Sequence, residues 1–196
     1  MRRDILKPAI SLFLICLVTA ALLAVTNYVT KNIIKDRAQG EADSARKQVL
    51  AEAESFEAVE NFKAILGDED EFSRINDVYK AIKNGSVIGH VLTITGQGYG
   101  GDMEVIVGID MQGKITGLKI GENSETAGLG SKVTEEAFTS QFVNLNPDEP
   151  LTVVKVNKSK PEEIEAVSGA TVSSRAVTTA VQTALNAADK LSGEGE

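Results

Sequence analysis

The 196-residue chain contains no tryptophan, one cysteine (Cys16), one histidine (His90), six phenylalanines and three tyrosines. A lone thiol cannot form an internal disulfide or a thiolate metal cluster, and a lone imidazole excludes a metal centre built from several histidines. Cys16 sits in an uncharged apolar run, so a Cys–His dyad in the polar part of the chain is excluded as well. No metal ligand set and no catalytic acid–base set stands out. Basic charge is also scarce: 20 Lys and Arg against 28 Asp and Glu leave a net charge of −8. Without a basic stripe, nucleic acid is not an expected partner. The apolar share of 42% is ordinary for a globular protein and exceeds what a long disordered chain carries.

What the chain does have is a charge-free N-terminal segment. Residues 9–29, AISLFLICLVTAALLAVTNYV, match the roughly 20 residues a helix needs to cross a bilayer core. Pro8 precedes the run and is expected in the first helical turn, where its missing N–H costs nothing. A cleaved signal peptide would carry a shorter apolar region and a small-x-small cleavage site. LLAVTNYVTKNI offers only a weak one, so a retained single-pass helix in the cell membrane is the expectation. Arg2, Arg3 and Lys7 come before the span and Lys31, Lys35 and Arg37 after it. That gives a mild positive-inside bias toward a cytoplasmic segment at 1–8, with the soluble domain on the extracytoplasmic side and the lipid bilayer as a partner.

Past the span, Val49, Leu50, Ala53, Phe56, Val59 and Phe62 recur near helical spacing. The pattern predicts an amphipathic linker helix that extends the chain from residue 30 to residue 66. A domain is expected over 67–190. Asn84-Gly85 between two apolar-rich runs signals a hairpin. A second hairpin pairs Met103 to Ile109 with Ile115 to Ile120 around a Gly-containing turn. VTEEAFTSQF reads as a short helix with its acids at the positive end, LTVVKV as a strand, and VSSRAVTTAVQTALNAADKL as a closing helix. Residues 191–196 read as a disordered tail. Strands in the middle and helices at the ends make the class α+β, with a largely antiparallel sheet flanked by helices.

One stretch concentrates hydroxyls at a helix entrance: AVSGATVSSRAV, residues 166–177. Such an entrance exposes unpaired N–H groups and the positive end of the helix dipole, a natural seat for a phosphate. Gly169 permits close backbone approach. Thr171 stands at the entrance, with Ser173 and Ser174 in the first turn. The simpler alternative is an N-cap, where Ser and Thr are favoured only to satisfy orphan donors. His90, in a predicted strand, reads as a surface or satisfied histidine rather than a proton donor.

The stretch EAVSGATVSS resembles the flavinylation motif of proteins that carry FMN covalently, Asp-x-x-(Ser/Thr)-Gly-Ala-(Ser/Thr). Ser168, Gly169, Ala170 and Thr171 match its last four positions, and Glu165 stands in place of the Asp. SETAGLGSK, residues 124–132, resembles the Glu-Thr-(Pro/Ala)-Gly-Leu-Gly loop of the same proteins, and GYGGDMEVIVGID, residues 98–110, their Gly-Tyr-Gly-Gly segment and following strand. Order, spacing and the basic-flanked anchor fit too. The chain therefore resembles the covalent FMN-binding domain family. That family is shared by the G subunit of the Rnf ion-translocating electron-transport complex and the C subunit of the sodium-translocating NADH:quinone reductase. The compact length of this chain is more similar to the former.

The resemblance implies FMN joined by a flavin transferase through a phosphoester to Thr171, with Ser173 and Ser174 near the free phosphate oxygens. It further implies Glu125, Thr126, Gly128, Leu129 and Gly130 against the isoalloxazine ring, and Tyr99 beside it. It implies an electron-carrier subunit of a complex coupling ferredoxin:NAD electron transfer to sodium or proton translocation, with the other Rnf-type subunits as partners. Two alternatives stay open: an FMN-bearing donor to another extracytoplasmic reductase or to a sodium-translocating NADH:quinone reductase, and a non-redox membrane-tethered adaptor whose hydroxyl cluster is only a cap.

Overall fold

A computed structural model describes residues 2–67 and 69–193. The first element, α1 (Arg2–Val49), contains the predicted span. Within it, Ile10–Lys31 is long and apolar enough to cross a membrane, with a mean hydropathy of 2.3. Its large apolar side chains are exposed, Leu23 by 71% and Phe13 by 66%. Pro8 lies inside α1 and not in its first turn, because the helix begins at Arg2. The chain divides into two compact units, residues 1–43 and 44–196.

In the second unit, five antiparallel strands run in chain order: β1 (Ser55–Ala58), β2 (Ile75–Lys83), β3 (Ser86–Gln97), β4 (Asp102–Asp110) and β5 (Ile115–Asn123). Lys83 pairs with Ser86 around Asn84-Gly85. Both turn residues have positive φ, 51° and 74°, the type I′ geometry that Asn-Gly favours. The second predicted hairpin also forms, with Val105 opposite Ile120 and Val107 opposite Leu118.

Alternation along the strands gives the sheet two buried faces. On one, Val78, Leu92, Ile94, Val105 and Val107 pack with Val177, Val181 and Ala184 of α4 (Thr171–Gly193), together with Phe72 and Leu66. Leu66 belongs to the short α2 (Phe62–Leu66). On the other face, Ala81, Val91 and Ile106 pack with Ala45, Val49, Leu50 and Ala53. The domain is α+β with an antiparallel sheet, as the sequence predicts.

Further expectations change. The linker helix expected to residue 66 ends at Val49, and residues 55–58 become the edge strand β1, with Phe56 opposite Ala81. The apolar spacing that suggests one helix serves two environments: Val49, Leu50 and Ala53 cover the sheet, while Val59 and Phe62 join the opposite core. The helix expected over 133–142 is broken into a 3-10 turn (Gly130–Thr134) and α3 (Glu136–Thr139). LTVVKV contributes β6 (Thr152–Val154), which pairs in parallel with an unforeseen β7 (Glu163–Glu165). Of the expected tail, Leu191–Gly193 continues α4, and 194–196 lie outside the described residues.

Candidate functional site

The entrance of α4 is built by the chain that precedes it. Gly169 adopts φ of 79°, a conformation that a residue with Cβ adopts only under strain, and this turns the backbone into the helix. Ala170 is buried at 5% exposure and its N–H donates to the Val167 carbonyl at 2.9 Å. Ser174, fully buried, ties the turn together. Its hydroxyl donates to the Ala170 carbonyl at 2.9 Å, and its oxygen accepts the Val167 N–H at 3.0 Å. Ser173, 1% exposed, donates to Glu125 Oε2 at 2.9 Å. The hydroxyls of Ser173 and Ser174 are thus engaged within the protein, and neither is presented to a ligand.

Thr171 differs from both. It is half-buried, and among the described residues its hydroxyl has no hydrogen-bond partner. Among the described residues the N–H groups of Thr171, Val172 and Ser173 also lack an acceptor, as the first residues of a helix do. A 23-residue helix aims its positive dipole end at the same place. Ser168 stands exposed just before the turn.

The two glycine-containing loops meet this entrance. A Cβ placed on Gly169 would touch Leu129 Cδ2 at 3.5 Å, so Leu129 lies over the turn that precedes Thr171. Leu129 is 51% exposed, Val172 51% and Tyr99 78%. Leu129 and Val172 thus present free apolar surface next to Thr171, and Tyr99 is exposed on the neighbouring loop. The 125–130 loop closes on itself: the Thr126 carbonyl accepts N–H groups from Leu129 and Ser131, and Ser131 Oγ accepts the Gly128 N–H at 2.9 Å. Gly128 has φ of 77°, and Gly130 is buried where a Cβ would collide with the Glu125 carboxylate. Glu125 itself reaches the Tyr99 N–H at 2.8 Å. All twelve residues singled out in the sequence belong to these three adjoining segments.

Glu165, in the position the motif gives to Asp, lies exposed in β7. Its backbone N–H and carbonyl are both held by the Gln141 side chain, at 2.8 and 3.1 Å. Nothing in the local sequence singles out Gln141. His90 is buried at 2% exposure on β3, where burial, and secondarily the charge of Lys80, hold its imidazole below the ordinary histidine value. It belongs to the core and not to this site. Among the described residues no cluster of His, Cys, Asp and Glu suits a metal ion.

A groove of about 540 Å³ opens beside the same end of α4, lined among others by Arg74, Thr95, Gln97, Val172 and Arg175. It continues along α4 to Thr183, and none of the twelve residues lines it.

Known proteins match the chain along its length. Residues 98–186 match the model of an FMN-binding domain, and residues 1–49 match that of an RnfG N-terminal region. The G subunit of the Na(+)-translocating ferredoxin:NAD(+) oxidoreductase complex of Acetobacterium woodii is 36% identical over 195 residues, covering 96% of this chain and 93% of that protein. The G subunit of the proton-translocating ferredoxin:NAD(+) oxidoreductase complex of Clostridium ljungdahlii is 31% identical over 186 residues, with 93% and 91% covered. Among solved structures, the C subunit of the Na(+)-translocating NADH-quinone reductase of Parabacteroides distasonis superposes with a TM-score of 0.57 over 80% of this chain and 94% of that one, at 19% identity. NqrC of Shewanella oneidensis superposes with a TM-score of 0.52 at 24% identity, covering 65% and 66%. At these identities the likeness is one of fold.

Proposed function

The chain belongs to the RnfG family, and from that premise we propose that it is a membrane-anchored electron-carrier subunit bearing FMN as a phosphoester on Thr171. The observation that carries the reading is the contrast at the start of α4. Ser173 and Ser174 are buried and hydrogen-bonded, whereas the Thr171 hydroxyl is accessible and unengaged beside three unpaired N–H groups. A phosphodiester retains about one negative charge, and helix-terminal N–H donors with the dipole stabilise it there. Leu129, Val172 and Tyr99 offer apolar surface to a flat aromatic ring, and Gly128 and Gly130 let the loop backbone come close to it. The residues present fit the group.

FMN supplies the electron-transfer chemistry when bound; the protein supplies attachment, orientation and the surroundings that tune its potential. The chain holds the phosphate at the helix entrance, fixes the turn by Ser174 and Gly169, and lines the ring site with Leu129 and Tyr99. Covalent attachment removes the dissociation equilibrium, so a carrier outside the cytoplasm keeps its cofactor. Electrons then pass between neighbouring subunits of an ion-translocating ferredoxin:NAD oxidoreductase complex, with no small substrate bound here. The 10–31 segment carries only Lys31 among charged residues, so the ion path belongs to partner subunits. The anchor spans the cell membrane once and the domain faces the extracytoplasmic side. A flavin transferase acts on Thr171 during maturation.

The test is fluorescence of the denatured protein in a gel after co-expression with the transferase. A flavin band that survives detergent denaturation and disappears in Thr171→Ala is the expected result. A wild-type chain without a band contradicts the proposal.

A further inference from the structure

Three segments distant in sequence end on one carboxylate. Glu125 Oε1 accepts the Tyr99 N–H at 2.8 Å and the Gly100 N–H at 3.3 Å. Its Oε2 accepts the Ser173 hydroxyl at 2.9 Å. The β3–β4 turn, the loop after β5 and the first turn of α4 are thereby joined. The space for this arrangement is left by glycines. A Cβ on Gly98 would collide with Oε1 and one on Gly130 with Oε2, while one on Gly100 would strike the Ser124 carbonyl. Glu125 also belongs to the locally ordered turn that its own N–H makes with Asn123 Oδ1 at 3.3 Å.

The direction of these contacts separates Glu125 from the cofactor position. Ser173 follows Thr171 by two residues, which at 100° per residue places the two side chains on opposite sides of the helix. The Ser173–Glu125 bond lies on the buried side and the Thr171 hydroxyl on the accessible one.

We propose that Glu125 is a positioning residue for the flavin site: it touches no atom of the cofactor and clamps the Gly98–Gly101 turn and the 125–130 loop onto the first turn of α4, holding the backbone of Tyr99 and the Leu129 loop at the entrance that carries Thr171. The inference rests on Thr171 being the attachment point. Removing the carboxylate leaves two backbone N–H groups and one hydroxyl without their acceptor, and frees both loops from the helix. A ring bordered by those loops then becomes more open to solvent. Glutamine preserves the clamp. Its amide oxygen accepts the two backbone N–H groups, and its amide nitrogen donates to Ser173 Oγ, with that bond reversed. The clamp therefore needs the shape and hydrogen-bonding capacity of the side chain and not its charge.

The experiment compares the full chain, matured with FMN and its transferase and purified in detergent, with Glu125→Ala, Glu125→Gln and Ser173→Ala. Iodide quenching of the flavin and its midpoint potential are measured on the flavinylated fraction. Glu125→Ala is expected to raise the quenching constant and move the potential toward that of free FMN. Ser173→Ala, which breaks one bond of three and keeps the carboxylate, should shift both in the same direction by less, and serves if Glu125→Ala does not fold. Glu125→Gln should match the wild type. Unchanged quenching and potential in both alanine variants overturn the inference, as does a Glu125→Gln shift as large as that of Glu125→Ala. A wild-type chain with no flavin on Thr171 overturns the attachment reading and this inference together, whereas a flavinylated wild type with insensitive variants overturns only this one.

Discussion

The Thr116 hydroxyl donates to the Val49 carbonyl across 2.6 Å. Val49 is the last residue of α1, so its carbonyl is one of the four that a helix end leaves without an internal partner. A β5 side chain satisfies it. Gly108 and Gly117 face each other across β4 and β5 and leave room for this contact: a Cβ would stand 2.5 Å from the Val49 oxygen at Gly108 and 2.6 Å from Val49 Cα at Gly117. Gly117→Ala should destabilise the domain by about 1–3 kcal/mol, the usual cost of overpacking, and Thr116→Val by about 1 kcal/mol through the unpaired carbonyl. Thermal unfolding followed by circular dichroism checks both; an unchanged Tm in each variant contradicts this account of the helix end.

Ser174 separates stability from cofactor attachment. Its hydroxyl serves Val167 and Ala170 only, so Ser174→Ala should cost about 1–2 kcal/mol, mainly by leaving the Val167 N–H without its acceptor, and leave the flavin band on Thr171 at wild-type intensity. A variant of undiminished stability with a weakened band would give that hydroxyl a direct part in flavin binding.

His90 makes stability depend on pH. Its Nδ1 is buried without a hydrogen-bond partner, and burial, then Lys80, hold its imidazole below the ordinary value of 6.5. The unfolded chain takes up a proton as pH falls through 6.5 while the folded chain resists it. The unfolded state then binds more protons, and stability declines on acidification from about pH 6.5 down to the folded pKa. Glu163, held below its ordinary 4.5 by hydrogen bonds from Ser159 and Lys160, acts in a separate and lower window, losing its contribution as pH falls below 4.5. Urea midpoints recorded between about pH 7 and pH 5 should fall for the wild type and stay level for His90→Leu. Equal slopes in the two would remove His90 as the cause.

The anchor gives a prediction about place. Alkaline carbonate should leave the chain in the membrane pellet, and protease added to intact spheroplasts should degrade the domain. A domain protected until the cells are lysed would put it on the cytoplasmic side.

How much of this is legible in the sequence depends on the range of the interactions. Asn84-Gly85 fixes its own turn, and the apolar run at 10–31 marks a helix long and apolar enough to cross a membrane, so both can be read locally. The twelve residues around the α4 entrance are marked by motif, and the structure places them in three adjoining segments. Their individual roles are not legible. Ser173, Ser174 and Thr171 look alike in sequence, and only burial and the reach of Glu125, 48 residues away, distinguish them. The end of α1 at Val49 is hidden because Val49, Leu50 and Ala53 meet one face of the sheet while Val59 and Phe62 meet the other core, at a spacing that imitates one helix. The parallel pairing of Val153 with Ile164 and the grip of Gln141 on Glu165 are long-range contacts with no local signal.

The central claim is a bond at one oxygen, and mass spectrometry of the proteolytic peptide containing Thr171, taken from chain matured with its transferase, tests it most directly. The expected peptide is heavier by FMN less water, with fragment ions that place the addition on Thr171. An unmodified Thr171, or an addition confined to Ser168, Ser173 or Ser174, would contradict it.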